Sequence, residues 1–192
     1  MHQVVHELAT IGAISVPLLQ EGMRFKLQRE AERFSYAPEI KVVGESDRIV
    51  RTEYSSFETF PDTALHARLA SAFQALMDAS LAELADYPFS IPLQFNSRVL
   101  QRYELGQLGI TPHRDSLRAI NLVCIFNISG HAEFCLCRDR NGTDPIQIDT
   151  TPGTVIFMKA PGFLGSQERP FHYVTHIRST RYSFGLRQKG EG

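Results

Sequence analysis

The segment Thr111-Pro112-His113-Arg114-Asp115 lies near the start of a long run of strand-like sequence, and the rest of the chain is organised around it. Side chains alternate between the two faces of an extended strand, so we expect His113 and Asp115 on the same face. An imidazole and a carboxylate placed there can converge on one metal ion. Two ligands hold a metal weakly, and a third should come from elsewhere in the chain.

His172 is the best candidate for the third ligand, although His176 lies at an even separation and could share its face. A few residues further on, the chain reads Arg181-Tyr182-Ser183-Phe184-Gly185-Leu186-Arg187. Two arginines, a serine and a glycine fall on odd positions there, and therefore on one face of a strand. We interpret that face as a clamp for a dicarboxylate, because guanidinium groups bind carboxylates through paired hydrogen bonds.

An ordered set of residues resembles the Fe(II)- and 2-oxoglutarate-dependent dioxygenases: Tyr103, His113-Arg114-Asp115, His172-Tyr173-Val174 and Arg181-Tyr182-Ser183. The resemblance covers roughly the C-terminal half of the chain. It implies a double-stranded β-helix (jelly roll) core with flanking α-helices. It also implies an Fe(II) site and a reaction that consumes 2-oxoglutarate and O2 and releases succinate and CO2.

The same resemblance implies roles for individual residues. His113, Asp115 and His172 are the expected metal ligands and catalytic residues; in the family the third ligand is commonly followed by Val at the second position, as Val174 follows His172. Arg181 and Ser183 are expected to bind the distal carboxylate of 2-oxoglutarate, with a further hydrogen bond from Tyr103.

The last strand is similar to the Arg-x-Asn-x-Thr-x-Arg pattern of the AlkB-like branch, with Ser183 and Gly185 at the positions of Asn and Thr. By that likeness Arg187 is expected to reach the cosubstrate carboxylate nearer the metal, and Gly185 to leave room above the cosubstrate. The alternative for Arg187 is a strand end in solvent. The two departures weigh against AlkB-type chemistry on nucleic acid.

Length and charge limit the function classes. A chain of 192 residues with 43% hydrophobic residues predicts one domain spanning residues 1–192. The net charge is −1, so the chain lacks the basic character of a nucleic-acid or membrane-surface protein. Residues 1–92 carry 8 Lys+Arg against 13 Asp+Glu, whereas residues 93–192 carry 12 against 8. A basic second half is expected if it holds an anionic cosubstrate.

The compartment is expected to be cytoplasmic and reducing, without a membrane partner. No cationic region precedes an apolar run and a cleavage site, and no segment is long and apolar enough for a bilayer. Three cysteines are too few, and odd in number, for a disulfide framework. We interpret Cys124, Cys135 and Cys137 as small buried hydrophobic residues, because four good zinc ligands are lacking.

The first half, residues 1–92, is expected to supply helical support and a lid. Residues 1–14 predict a strand and a turn, and Ser15-Val16-Pro17 predicts a helix start with Ser15 as N-cap. Residues 63–86 predict a second amphipathic helix. Aromatic residues scattered over 36–61 indicate a segment that could close over a pocket. The two helices should cover one outer face of the β core.

The sequence of the second half consists of short strand-forming segments separated by turn residues, a pattern typical of a two-sheet jelly roll. Eight strands are predicted, over residues 93–103, 111–118, 120–128, 132–138, 145–148, 154–158, 171–177 and 181–188.

Together these features favour a dioxygenase that oxidises, and is expected to hydroxylate, a small organic molecule. An AlkB-like nucleic-acid demethylase is the first alternative, but it would need a basic track for phosphates that a nearly neutral chain lacks. A second alternative is a cupin-like jelly roll that holds a metal or ligand without oxygen chemistry. The expected dicarboxylate clamp favours the enzyme.

Overall fold

The computed structural model of the protein describes residues 1–44 and 49–190. Within these ranges the chain forms three helices, α1 (His2–Thr10), α2 (Glu21–Ala31) and α3 (Leu65–Ala82). No helix in the described ranges combines the length and the hydropathy that a bilayer crossing requires.

The strands form two antiparallel sheets, which confirms the mainly β jelly roll with flanking helices. In the described residues the larger sheet has the spatial order β1 (Ala13–Pro17), β11 (Thr154–Lys159), β8 (Ala119–Ser129), β13 (Arg181–Lys189), β6 (Ser97–Tyr103), β5 (Ser55–Phe57) and β2 (Ala37–Pro38). The smaller sheet has the order β10 (Ile146–Ile148), β9 (Glu133–Cys137), β12 (Phe171–Thr175), β7 (Gly109–His113), β4 (Val50–Glu53) and β3 (Lys41–Val43).

The eight predicted strands are all present, and β1 to β5 were not predicted as part of either sheet. Residues 45–48 of the expected lid lie outside the described residues. The described remainder of that segment joins both sheets, since β5 pairs with β6 and β4 pairs with β7.

The secondary structure predicted for the N-terminal segment was wrong. Residues 2–10 are helical rather than a strand, and Ser15 lies in the middle of β1 rather than at a helix N-cap. The reason is tertiary: β1 pairs along its full length with β11, and this long-range ladder outweighs the local Ser-x-Pro signal. The following helix therefore begins only at Glu21, and it buries Leu27 and Ala31 while Met23 stays exposed.

Two cores share the larger sheet. Even-numbered residues of β8, such as Cys124 and Phe126, pack against the helices, whereas Val123 and Ile125 face the smaller sheet. The helix predicted over residues 63–86 is confirmed as α3, whose Phe73 meets Phe126 edge-on at a ring distance of 4.9 Å. The helices thus cover the outer face of the larger sheet, and the space between the sheets is left for the site.

A buried polar contact ties α2 to the start of α3. The Glu30 carboxylate accepts hydrogen bonds from the backbone N–H groups of Leu65 (2.8 Å) and His66 (3.1 Å), and it lies 2.7 Å from His66 Nδ1. Burial raises the pKa of Glu30, but these hydrogen bonds outweigh it and lower the pKa overall. A carboxylate at the positive end of a helix is favourable, so Glu30 acts as an N-terminal cap supplied by another helix.

We expect Glu30→Gln to lower the free energy of unfolding by about 1–2 kcal/mol, because an amide keeps the size of the cap but loses its charge and one acceptor. Urea denaturation at neutral pH measures the change. Glu32→Gln, at the exposed end of α2, is the matched control and should stay within about 0.5 kcal/mol of the wild type. Equal stability of Glu30→Gln and Glu32→Gln would contradict the capping role.

Candidate metal centre and anion pocket

His113, Asp115 and His172 meet at one end of the space between the sheets. Their candidate ligand atoms all lie within 4.8 Å of one another. Asp115 Oδ1 is 3.9 Å from His113 Nε2 and 3.8 Å from His172 Nε2. Within the described ranges, no other group of three His, Cys, Asp or Glu side chains converges in this way.

An irregular strand pair aims His113 inward. His172 on β12 pairs with His113 on β7, but Val174 pairs with Ile110, so β7 has one extra residue between these points. Such a bulge reverses the alternation, and both Ile110 and His113 face the interior. The two strands run so close below the bulge that a Cβ on Gly109 would lie 2.2 Å from the Val174 carbonyl oxygen.

Asp115 does not lie in a strand, contrary to the predicted strand over residues 111–118. The strand β7 ends at His113, and Asp115 occupies the loop that follows. Its position is fixed by other contacts: Arg169 donates a hydrogen bond to the Asp115 carbonyl oxygen at 2.8 Å, and Arg187 Nε donates to Oδ2 at 3.1 Å. The carboxylate is therefore oriented with Oδ1 toward the two imidazoles.

Both histidines present Nε2 to the centre of the cluster. Nδ1 of His113 lies 2.9 Å from the Thr111 carbonyl oxygen, and Nδ1 of His172 lies 3.1 Å from that of Pro170. A carbonyl only accepts, so Nδ1 carries the proton in each neutral ring and Nε2 keeps its lone pair. These contacts select the tautomer that a metal ion requires.

Burial and mutual repulsion keep the imidazoles neutral. Burial and the nearby His172 lower the pKa of His113 to about 3, against the opposing influence of Asp115. Burial also lowers the pKa of His172. Burial raises the pKa of Asp115, but the charge of Arg187 and its hydrogen bond are the main opposing influence, so the pKa is lowered and the carboxylate stays ionised. Two neutral imidazoles and one carboxylate form a donor set suited to a divalent transition-metal ion.

His176 is not part of the cluster. The strand β12 ends at Thr175, and His176 has a positive φ of 49° with its ring 3.0 Å from Glu133 at the surface. Its even spacing from His172 therefore does not place it on the same face, because side chains alternate between two faces only within the strand.

The odd-numbered face of β13 points into the space between the sheets, as expected. Arg181 is only 2% exposed, yet no acidic side chain of the described chain pairs with it. Its guanidinium donates to Ser183 Oγ at 3.1 Å and to Asn127 Oδ1 at 2.8 Å, and it lies 5.3 Å from the centre of the Tyr103 ring. Burial lowers the pKa of Arg181, which Tyr103 opposes.

Asn127 is buried behind Arg181, and the sequence pattern did not assign it to the site. Its signal was present, since Asn127 is a polar side chain in the middle of the apolar strand β8. Its amide oxygen accepts from Arg181 and its amide nitrogen donates to Thr154 Oγ1 at 2.9 Å. It thus holds one of the two terminal nitrogens of the guanidinium in place.

Arg187 lies inside the site rather than in solvent. Its guanidinium folds back over Gly185, where an added Cβ would meet Nη1 at 2.9 Å, and it engages Asp115. The space above Gly185 is therefore filled by Arg187 itself. The enclosed cavity between Arg181 and the metal ligands measures about 20 Å³, so a five-carbon dicarboxylate requires side chains such as Arg187 to withdraw.

The three cysteines are free thiols outside this cluster. Cys124 belongs to the core beneath the helices, and Cys135 and Cys137 alternate with inward-facing residues of β9. Burial raises the pKa of the Cys124 thiol, which fits the role of a small hydrophobic residue.

No family model matches the chain, and no curated protein matches it in sequence. The fold, however, is similar to several solved enzymes. A prolyl hydroxylase of Trichoplax adhaerens, in complex with a peptide fragment of hypoxia inducible factor, has a TM-score of 0.72 at 13% identity, over 98% of this chain and 88% of that one.

Two bacterial structures give the same result. A prolyl-4-hydroxylase of Pseudomonas putida has a TM-score of 0.64 at 14% identity, over 99% of both chains. An oxidoreductase of the 2OG-Fe(II) oxygenase family from Burkholderia pseudomallei has a TM-score of 0.63 at 10% identity, over 97% of this chain and 89% of that one. Along nearly its whole length, this chain therefore has the double-stranded β-helix fold of these oxygenases, with a His-x-Asp and a distant His brought together in it.

Proposed function

We propose that this protein is an Fe(II)- and 2-oxoglutarate-dependent dioxygenase that hydroxylates a small organic molecule and releases succinate and CO2. One observation carries the proposal: three metal-ligating side chains and a buried arginine without an acidic partner occupy the same space between the sheets. The fold shared with solved oxygenases agrees with it.

The ligand set fits Fe(II). His113, Asp115 and His172 approach from one side, and three protein ligands leave open positions for a cosubstrate and oxygen. When bound, Fe(II) together with 2-oxoglutarate supplies the oxidising chemistry, and the protein supplies orientation. The chain's own part is to hold two imidazoles neutral, to keep Asp115 ionised, and to point all three ligand atoms at one place.

Arg181 is the proposed anchor for the distal carboxylate of 2-oxoglutarate. A fully buried guanidinium is costly unless an anion pairs with it. Arg181 donates hydrogen bonds to Ser183, Asn127 and Tyr103, and a guanidinium has five N–H groups, so donors remain for a carboxylate. Burial raises the pKa of Tyr103, which keeps its hydroxyl protonated as a further donor.

The same arginine distinguishes the enzyme from a cupin-like metal binder, since metal binding alone needs no buried cation. The surface groove beside Arg114 favours a small molecule over nucleic acid. There Arg138 pairs with Asp144 and Lys159 with Glu168, so these two cations are already paired and do not form a phosphate track. If methylated oligonucleotides stimulated succinate release and no metabolite did so, the AlkB-like demethylase would be the better assignment.

We propose a lid role for only the outer part of residues 36–61. The β4 and β5 strands are integral parts of the sheets, whereas β3 lies at a sheet edge with Val42 and Val43 exposed. Amide hydrogen exchange of β3 should slow when a substrate binds, because closure would shield it. Unchanged exchange under saturating substrate would exclude this role.

We expect His113→Ala, Asp115→Ala and His172→Ala each to abolish Fe(II)-dependent succinate formation and to weaken Fe(II) binding strongly, because two ligands hold the ion poorly. Anaerobic metal titration and succinate release measure the two effects. His176→Ala is the control and should keep both. Loss of iron in His176→Ala but not in His172→Ala would reverse the assignment of the third ligand.

Arg181→Lys should raise the 2-oxoglutarate concentration needed for half-maximal turnover about ten-fold or more. A lysine cannot form two parallel hydrogen bonds, and each charge-assisted bond contributes about 1.5–3 kcal/mol. Fe(II) affinity should not change. Arg178→Lys, on the surface and paired with Glu133, is the matched control. An unchanged requirement in Arg181→Lys would remove the assignment of the anchor.

A further inference from the structure

A second concavity opens beside the metal ligands on the side away from Arg181. This mouth cavity measures about 390 Å³, and Asp115 and Arg187 form its inner wall. Val99 and Ala119 give it apolar surface, and Arg118 and Lys189 lie at its outer edge. Its volume is within the range of small-molecule sites. A molecule bound here would lie against the metal centre.

Two cationic residues occupy neighbouring positions at the end of the β8–β13 strand pair, and both line the cavity. Lys189 pairs with Ala119 across β13 and β8, and the next N–H, of Gly190, donates to the Arg118 carbonyl oxygen at 2.9 Å. A tight turn after Asp115 fixes Arg118 from the other side, since Ser116 Oγ accepts the Arg118 N–H at 3.2 Å. These hydrogen bonds fix the backbone of both residues relative to Asp115.

Arg118 and Lys189 have no ion pair within the described chain, in contrast to Arg138, Lys159 and Arg178. The inner wall does not neutralise them, because Asp115 is already paired with Arg187. Among the described residues that line the cavity, Glu58 is the one remaining acid. Two cations that line one cavity give it a positive potential, which favours binding of an anion there.

We propose that the substrate is a small organic acid whose carboxylate binds Arg118 and Lys189, with its apolar part directed inward past Val99 toward the metal centre. This inference rests on the proposed dioxygenase function and specifies its substrate class. The geometry separates two anion sites: Arg181 for the cosubstrate at the closed end, and the Arg118–Lys189 pair for the substrate at the open end.

The test compares two probes of the same shape, 4-methylpentanoate and 4-methylpentanamide, which differ in charge. The protein is loaded with Zn(II) and saturated with 2-oxoglutarate, so that no turnover occurs and Arg181 is occupied. Ligand-observed NMR titration gives the two affinities. We expect the acid to bind about ten-fold more tightly than the amide, as one charge-assisted contact allows.

The decisive variant is Arg118→Gln combined with Lys189→Gln, in which the acid should bind within about two-fold of the amide. The control is Lys26→Gln combined with Arg68→Gln, which removes the same charge from exposed positions on α2 and α3 and should keep the preference. Zn(II) affinity and thermal unfolding check that both double variants are folded. A preference for the acid that persists in Arg118→Gln/Lys189→Gln would come from the metal and would overturn the inference.

Succinate release by the wild type with Fe(II) and 2-oxoglutarate, measured without a probe, reports separately on the proposed function. Succinate release together with equal binding of acid and amide contradicts only the substrate class. A preference for the acid that depends on Arg118 and Lys189, with neither Fe(II) binding nor succinate release, supports the anion site and contradicts the dioxygenase.

Discussion

The central strands of the larger sheet are buried on both faces, and this constraint shapes the whole molecule. Along β13, Phe184 and Leu186 pack beneath the helices, while Arg181 and Ser183 face the smaller sheet. One strand therefore serves a hydrophobic core on one side and a polar site on the other. The helices stabilise the polar side indirectly, because they bury the apolar half of the same strand and fix the direction of the inward residues.

Asp115 contacts both histidines of the cluster and Arg187 of β13, and so connects the two sheets at the site. One carboxylate oxygen faces both imidazoles, the other accepts from Arg187, and the backbone carbonyl accepts from Arg169. A loop residue thus has an orientation as well defined as that of a strand residue. Arg187 also lies over Gly185, so the same side chain touches the metal ligand and fills the path from the ligand to Arg181. A movement of this one guanidinium would therefore change both the space beside Arg181 and the environment of Asp115.

The site has a closed end and an open mouth, and the order of side chains along β13 follows this direction. Arg181 lies at the closed end, Arg187 beside the metal ligands, and Lys189 at the mouth. A cosubstrate held by Arg181 and a substrate held at the mouth would approach the metal from opposite sides without competing for one cation. The prolyl hydroxylases and the oxygenase with similar folds share the scaffold with this chain at 10–14% identity.

Sequence alone determined the elements whose signals are local and periodic. Alternation indicated the eight core strands and placed Arg181 and Ser183 on one face, and helical spacing indicated α3. The strand β1 was missed because its partner β11 lies far along the chain, and pairing energy rather than propensity decides such a strand. The family resemblance favoured His172 over His176, but only the tertiary structure gives the physical reason, which is that β12 ends at Thr175. The bulge that turns His113 inward, the Arg187–Asp115 contact and the adjacency of Arg118 to Lys189 likewise depend on the register between strands distant in sequence, which no local pattern encodes.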